Sequence, residues 1–428
     1  MTSRKIFLAV GLLAAFHAAA DMAGVSDVVV HSRWPWEAKI DISCVVGTDG
    51  KDYDFDVTAT WDGQATPVSV DTFVGCGVHA TVWDPAAAGL TNAPVANFRV
   101  AFTRVPVSSR TYMFVDLANK TVTYSQAYAK TSDHLDNVIP FRRVRAGTYT
   151  NGYESALLGK SLDYGANGLK TLASRGRTPL RQVTLTSDYY ISIYKITRRQ
   201  WRRFDNAQED NTNVASMHYY LLRGAEADGV DWPFTGFTVA SGSTIGACRE
   251  HLHGALPRAF VLDLPTAAQW EVAMRAGEDG SHFWSLPQTL IDEGLNPGDA
   301  SATLADMTNT LNRIAIWGGN QAEHESDGSR WRPGEMEPNA WNIYDAVGLG
   351  KYEWVLDRNS TNKGGVDPVG EYRTNSNGNR KILGNGYSST MLECVRGEYI
   401  GGMAETGYGS NLTSADFRLV INTRNWME

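Results

Sequence analysis

The chain has 428 residues, more than one hydrophobic core accommodates, so two or three domains are expected. Hydrophobic residues make up 43% and charged residues 20%, a balance that excludes disorder. The formal charge of −8 excludes the concentrated basic surface that phosphate backbones require, so no nucleic-acid partner is expected.

Arg4 and Lys5 precede the apolar run "IFLAVGLLAAF", and "AAAD" supplies small residues for cleavage after Ala20. Residues 1–20 therefore read as a signal peptide, and the mature chain is expected to start near Asp21. The run is short for a permanent anchor, and no later window predicts a transmembrane helix. The expected location is periplasmic or extracellular.

Residues 25–130 read as β structure. "KIDISCVV", "YDFDVTATW" and "NFRVAFTRV" alternate apolar with polar residues between Gly, Asp and Asn breaks. A small all-β sandwich is the expected way to bury them. "RWPW" at 33–36 reads as a packing corner, since Trp is usually core, with a ligand-binding aromatic pair as the alternative. Cys44, Cys76, Cys248 and Cys394 allow several disulfide pairings, of which Cys44–Cys76 lies within one strand-rich region. Buried free thiols are the other reading.

"TSDHLDNVIP" at 131–140 reads as a connection. Strands "RRVRAGTYT" and "RQVTLTSDYYISIYKIT" follow, and then "TRRQWRRF" at 197–204 as an amphipathic helix with a solvated basic face. "LDLPTAAQWEVAMRAG" at 262–277 reads as a capped helix. Thr266 and Gln269 have the spacing of a capping box, Trp270, Ala273 and Met274 face a core, and Gly277 stops the helix. The remainder is rich in Gly, Asn and Trp, so side-chain hydrogen bonds, aromatics or ions must hold it. His251 and His253 in "EHLHG" lack a third metal ligand.

Five ordered stretches resemble the formylglycine-generating enzymes, also called sulfatase-modifying factors. They are "FRRVRAGTYTNG" at 141–152, "YYISIYKITRRQWRRF", "LDLPTAAQWEVAMRAG", "EPNAWNIYDAVGLGKYEWVLDR" at 337–358 and "DFRLV" at 416–420. The resemblance spans 141–425 and implies an α+β, C-type-lectin-like domain with low regular structure. The family includes copper-dependent oxidases that convert a sulfatase cysteine to formylglycine. Its fold also serves as a ligand-binding scaffold in receptors diversified by retroelements.

The oxidase chemistry needs a pair of soft thiolates for Cu(I), which the family spaces as C-x4-C after an "RGGSW" turn. Here the matching stretch, "KILGNGYSSTMLECVRGEY" at 381–399, holds only Cys394, and the first family cysteine falls close to Thr390. Copper is therefore not expected. Cys394 reads as a small core residue and is the one catalytic candidate if the oxidase alternative holds. The resemblance also implies a calcium loop. In "GLGKYEW" Glu353 is retained as a Ca2+ candidate, the loop Asn is lost and Lys351 adds a positive charge; an ion pair is the competing reading.

With the frame kept and the thiol pair gone, a non-catalytic scaffold that binds a protein or glycan is the expected function. The segment 372–411 has a paratope-like composition, and Asn377, Asn379, Tyr387, Ser388, Ser389, Tyr399 and Tyr408 are its candidate contacts.

Overall fold

The computed structural model describes residues 17–18, 24–34, 36–47, 53–90, 95–152, 180–205, 217, 219–223, 242–277, 309, 312–316, 319–320, 332–345, 352–358, 364–369, 379–384, 401–404 and 415–423. The chain divides into two compact units. The first holds residues 1–107 with 257–259, and the second holds 108–256 with 260–428.

In the first unit the strands are β1 (His17–Ala18), β2 (Val25–Ser32), β3 (Ile40–Val46), β4 (Tyr53–Trp61), β5 (Gln64–Phe73), β6 (Gly77–Trp83) and β7 (Arg99–Pro106). They form one sheet in the order β1-β7-β4-β5 and another in the order β2-β3-β6. Alternation decides which residues point inward. Ile40, Ile42, Cys44 and Val46 of β3 are buried, and so are Phe55, Val57 and Ala59 of β4. They join one apolar cluster with Trp83, Phe98, Val100 and Phe102, so the two sheets share a core. The Cys44 thiol is part of it, and burial pushes its pKa up to about 12. Cys44 is a buried free thiol, and Cys76 is exposed.

"RWPW" is not a packing corner. Trp34 is 40% exposed and Trp36 87% exposed. The turn they occupy is closed by charged side chains rather than by apolar packing, so nothing draws the rings inward.

The second unit begins earlier than the change in sequence texture suggested. Strands β8 (Tyr112–Asp116) and β9 (Thr121–Ser125) alternate like those before them. β8 pairs instead with β10 (Val138–Val144), antiparallel with Phe141 opposite Met113, and β9 pairs with β8. Alternation marks a strand but does not name its partner. The chain continues through β11 (Gly147–Asn151), β12 (Arg181–Leu185), β13 (Tyr189–Ser192) and the short helices α1 (Arg198–Phe204), α2 (Tyr219–Arg223) and α3 (Thr244–His251). Then come β14 (Val261–Asp263), α4 (Ala267–Met274), β15 (Glu353–Arg358), β16 (Gly365–Val366), β17 (Asn379–Leu383), β18 (Gly401–Ala404) and β19 (Val420–Asn422). Three sheets result, ordered β14-β19-β13-β10-β8-β9, β11-β12-β16 and β15-β17-β18. The unit is mostly sheet with short helices, an α+β arrangement.

The expected capping box at Thr266 forms, and a second one, not foreseen, opens α1 at Thr197. Thr197 Oγ1 accepts from Gln200 N at 3.1 Å, and Thr266 Oγ1 accepts from Gln269 N at 3.1 Å. Each glutamine Oε1 returns the bond by accepting from the cap N–H at 3.0 Å. The basic face of α1 is partly paired rather than wholly solvated, since Arg199 and Arg203 each reach Asp136 at 3.1 Å.

Helix α4 buries all eight of its residues, polar ones included, not just one face. Trp270, Ala273 and Met274 pack with Val144, Tyr189, Ile191, Ile343, Val355 and Leu383. Gly277, at φ 75°, follows the helix end and donates to Val272 O at 3.2 Å. A Cβ there would lie 2.8 Å from Trp341 Cζ2, so the stop needs glycine for space as well as for φ.

Trp270 is fully buried at the centre of this cluster. Trp270→Ala is expected to cost about 3–5 kcal/mol, read as a fall of many degrees in the thermal midpoint of the second unit. A midpoint within a degree of wild type would contradict the placement.

Candidate functional site

Glu353, the calcium candidate, opens β15 and is buried. Its carboxylate is surrounded by donors. Arg418 Nε lies 3.1 Å from Oε1 and 3.0 Å from Oε2, and Trp270 Nε1 donates to Oε2 at 2.8 Å. Lys195 Nζ stands 3.8 Å from Oε1 and donates to Asp416 Oδ2 at 3.0 Å. Arg418 also donates through Nη1 to the carbonyls of Ser192 (3.3 Å) and Ile193 (2.8 Å), and through Nη2 to that of Tyr344.

The cluster thus sets two cations, Lys195 and Arg418, against two carboxylates, Glu353 and Asp416, all deeply buried. Ca2+ needs oxygen lone pairs that converge on a gap. The lone pairs of Glu353 converge on N–H groups. Glu353 is engaged in an ion pair, the rest of the candidate loop, 346–351, lies outside the described residues, and no group of three His, Cys, Asp or Glu suited to a metal occurs among those described.

Asp345 borders this cluster. Its backbone is left-handed at φ 58°, its Oδ2 accepts from Gly334 N at 2.7 Å, and its Oδ1 has no hydrogen-bond partner among the described residues. Burial raises its pKa to about 6, against the lowering pull of Arg418, the Gly334 N–H and Lys195.

The remaining candidates concern sulfur and the proposed contact surface. Cys394, Thr390, Asn377, Tyr387, Ser388, Ser389, Tyr399 and Tyr408 lie outside the described residues. Asn379 is the first residue of β17, opposite Ala404 of β18. Since β17 and β18 pair antiparallel, the 385–400 segment leaves and rejoins neighbouring strands of one sheet. Cys248, the other thiol of this unit, lies in α3, fully buried, and burial pushes its pKa up to about 12. It is a protonated core thiol, not a ready thiolate. His251 Nε2 is 2.6 Å from the Leu117 carbonyl, a contact to backbone rather than to a metal.

Sequence reasoning found Glu353 and Trp270 but did not foresee that they touch. Lys195, Asp345, Asp416 and Arg418 all fall inside the resembling stretches. Their signal was an ionisable residue set in a run of apolar ones, as in "YISIYKIT" and "ADFRLV".

Residues 141–399 match the family described as the sulfatase-modifying factor enzyme 1-like domain. Among solved structures, the chain is similar to Treponema denticola variable protein 1, with 16% identity and a TM-score of 0.38, covering 66% of this chain and 95% of that one. It is likewise similar to PvdO from Pseudomonas aeruginosa, with 16% identity and a TM-score of 0.38, covering 66% of this chain and 94% of that one. No curated protein matches the chain.

Two outcomes follow from the cluster. Glu353→Ala strands the Arg418 guanidinium without its carboxylate and is expected to cost about 3–5 kcal/mol. Glu353→Ala combined with Arg418→Met should lose less than the single change in chemical denaturation, because no unpaired charge remains buried. For Asp345 the folded pKa of about 6 lies above the ordinary 3.8, so ionisation costs stability. Wild type should therefore lose stability relative to Asp345→Asn as pH rises from about 4 to about 7, and the difference should level off above that. Parallel melts across that pH range check this, and a constant difference would refute it.

Proposed function

The chain belongs to the sulfatase-modifying factor enzyme 1-like family, and we propose that it uses the family frame as an exported, non-catalytic scaffold that binds a protein or glycan. The observation that carries this reading is the sulfur count. The stretch 381–399 contains one cysteine, Cys394, where the copper chemistry of the resembling oxidases calls for two. Thr390, near the missing position, offers a hard hydroxyl that Cu(I) does not favour. Cys248 is not a substitute in kind, because its buried thiol is held protonated at neutral pH. A two-thiolate copper centre does not fit these residues, and no oxidative step is derived from them.

The binding surface on this reading is 372–411, with Asn377, Asn379, Tyr387, Ser388, Ser389, Tyr399 and Tyr408 as contacts. Its support is placement and composition. Residues 379–382 and 401–404, which flank part of the segment, pair with each other in one sheet, and connections between scaffold elements are where contacts concentrate. Tyr, Ser and Asn give rigid aromatic area together with adaptable hydrogen bonding. Ahead of this domain, the first unit is read as a β-sandwich on the strength of its two sheets and shared core. Export rests on the leader-like residues 1–20. No helix among the described residues is long and apolar enough to cross a membrane. The ion pair around Glu353 supports a structural role for that carboxylate over a calcium role.

The oxidase alternative has a direct test. The purified chain, loaded with Cu(I), is incubated with a cysteine-containing sulfatase peptide and analysed by mass spectrometry. No aldehyde product is expected, and copper should not co-purify in stoichiometric amount. Formation of the aldehyde, abolished by Cys394→Ser, would overturn the scaffold reading.

A further inference from the structure

We propose that the β2–β3 turn of the first unit, residues 33–39, is a binding site for a neutral polysaccharide, with Trp34 and Trp36 as stacking platforms. This site is separate from the surface proposed above and does not depend on it. Trp36 is 87% exposed and Trp34 40% exposed, although tryptophan is ordinarily driven inward.

Their exposure is not slack in the chain, because the turn is tied at many points. Arg33 Nε donates to Asp41 Oδ1 at 3.1 Å and to Oδ2 at 2.9 Å, and its Nη2 donates to Oδ1 at 2.7 Å. Arg33 Nη1 donates to Glu37 Oε2 at 3.1 Å. The backbone closes the turn as well. Arg33 N donates to Lys39 O at 2.9 Å, Trp36 N to Arg33 O at 3.1 Å and Glu37 N to Arg33 O at 3.3 Å. Trp34 N donates to Ser32 Oγ at 3.3 Å. A turn so fixed presents its rings in a set arrangement and loses little freedom on binding.

Charge selects the class of ligand. The turn sets Arg33 and Lys39 against Glu37 and Asp41, and all four are engaged with one another, Lys39 Nζ lying 3.5 Å from Glu37 Oε2. No cation is left over for a phosphate or a carboxylate, and the chain's net charge of −8 repels acidic polymers. The complementary ligand is uncharged, has C–H faces that lie against the electron-rich face of an indole, and carries hydroxyls that can bond the exposed Glu37 carboxylate. A neutral polysaccharide meets all three conditions.

Next to the turn, the β2-β3-β6 sheet has a partly exposed face. Asp41 is opposite His31, Ser43 is opposite Val29 and Ala80, and Val45 is opposite Val78, so these residues share one face of the sheet. Val29 and Val78 are exposed on that face. From Asp41 to Val45 the strand runs about 13 Å, long enough for more than a single sugar ring.

The test is native electrophoresis of the full chain in gels cast with mixed-linkage β-glucan, xyloglucan or galactomannan, against gels without polymer. Retardation is expected in at least one polymer. It should weaken at least tenfold in apparent Kd for Trp34→Ala combined with Trp36→Ala, at unchanged thermal midpoint, since both rings are on the surface. The Tyr387→Ala, Tyr399→Ala variant should keep the retardation, which separates this site from the C-terminal surface. The proposal is overturned by normal mobility in all three polymers, by equal retardation of the double Trp variant, or by loss of retardation in the Tyr variant. Trp36-dependent sedimentation with phosphatidylcholine vesicles, or a Trp36-dependent dimer in light scattering, would likewise replace it with a lipid surface or a second copy of the chain.

Discussion

The buried pair of Glu353 and Arg418 is the constraint from which much of the second unit follows. One guanidinium binds a carboxylate at the start of β15 and three carbonyls from two other segments, those of Ser192, Ile193 and Tyr344. The same carboxylate accepts from the indole of Trp270 on α4. A domain with short strands and helices leaves many backbone carbonyls outside any ladder, and each must find a donor if buried. Arg418 supplies several donors in a fixed fork from one position, which a lysine cannot do. Lys195 serves the neighbouring carboxylate of Asp416. The charges balance, so their desolvation is offset by contact rather than left as a deficit.

The device recurs around other buried acids. Asp188 binds Arg143 Nε at 2.6 Å and the Ala146 N–H at 2.8 Å, while its own carbonyl accepts from Thr423 Oγ1 at 2.7 Å. Asp263 is gripped by Arg223 through both oxygens at 2.9 Å and by Arg249 at 3.0 Å. Glu271, inside α4, accepts from the Gly152 N–H and from Arg181, each at 2.8 Å. Asp357 accepts from the Ala267 N–H, at the first turn of the same helix. Each acid joins segments far apart in the chain. That is why α4 can bury even its polar residues: Gln269 donates to Asn422 at 2.7 Å, and Glu271 is enclosed by arginines.

How much of this could be read beforehand depends on whether the cause is local. The two capping boxes are local, set by residues three apart, and Thr197 with Gln200 and Thr266 with Gln269 form as their spacing implies. The inward residues of β3 and β4 follow from period-two alternation. The strand–strand partnership of Tyr112–Asp116 is non-local, and alternation carried no mark of it, so the unit boundary sits at residues 107 and 108 rather than beyond 130. Trp36 failed for a related reason. Composition says that Trp is core, but the Arg33–Asp41 clamp sets the turn before packing can. At the candidate site, Glu353 was legible as a retained acid, but its partner lies 65 positions away and was visible only as an arginine in an apolar run.

The groups that hold this domain are distinct from the groups that would react in it. Carboxylates, guanidiniums and the indoles of Trp270 and Trp354 tie its segments together, whereas copper oxidation depends on sulfur. Cys248 contributes as a small apolar filler in α3, with its proton kept by burial. Losing a soft-metal pair removes sulfur atoms and leaves the carboxylates and guanidiniums of the Glu353, Asp188, Asp263 and Glu271 hubs in the sequence. Stability and chemistry are separable when they reside in different atoms. The most exposed aromatic ring of the described residues, Trp36, sits on a turn of the first unit that ion pairs and backbone hydrogen bonds together keep closed.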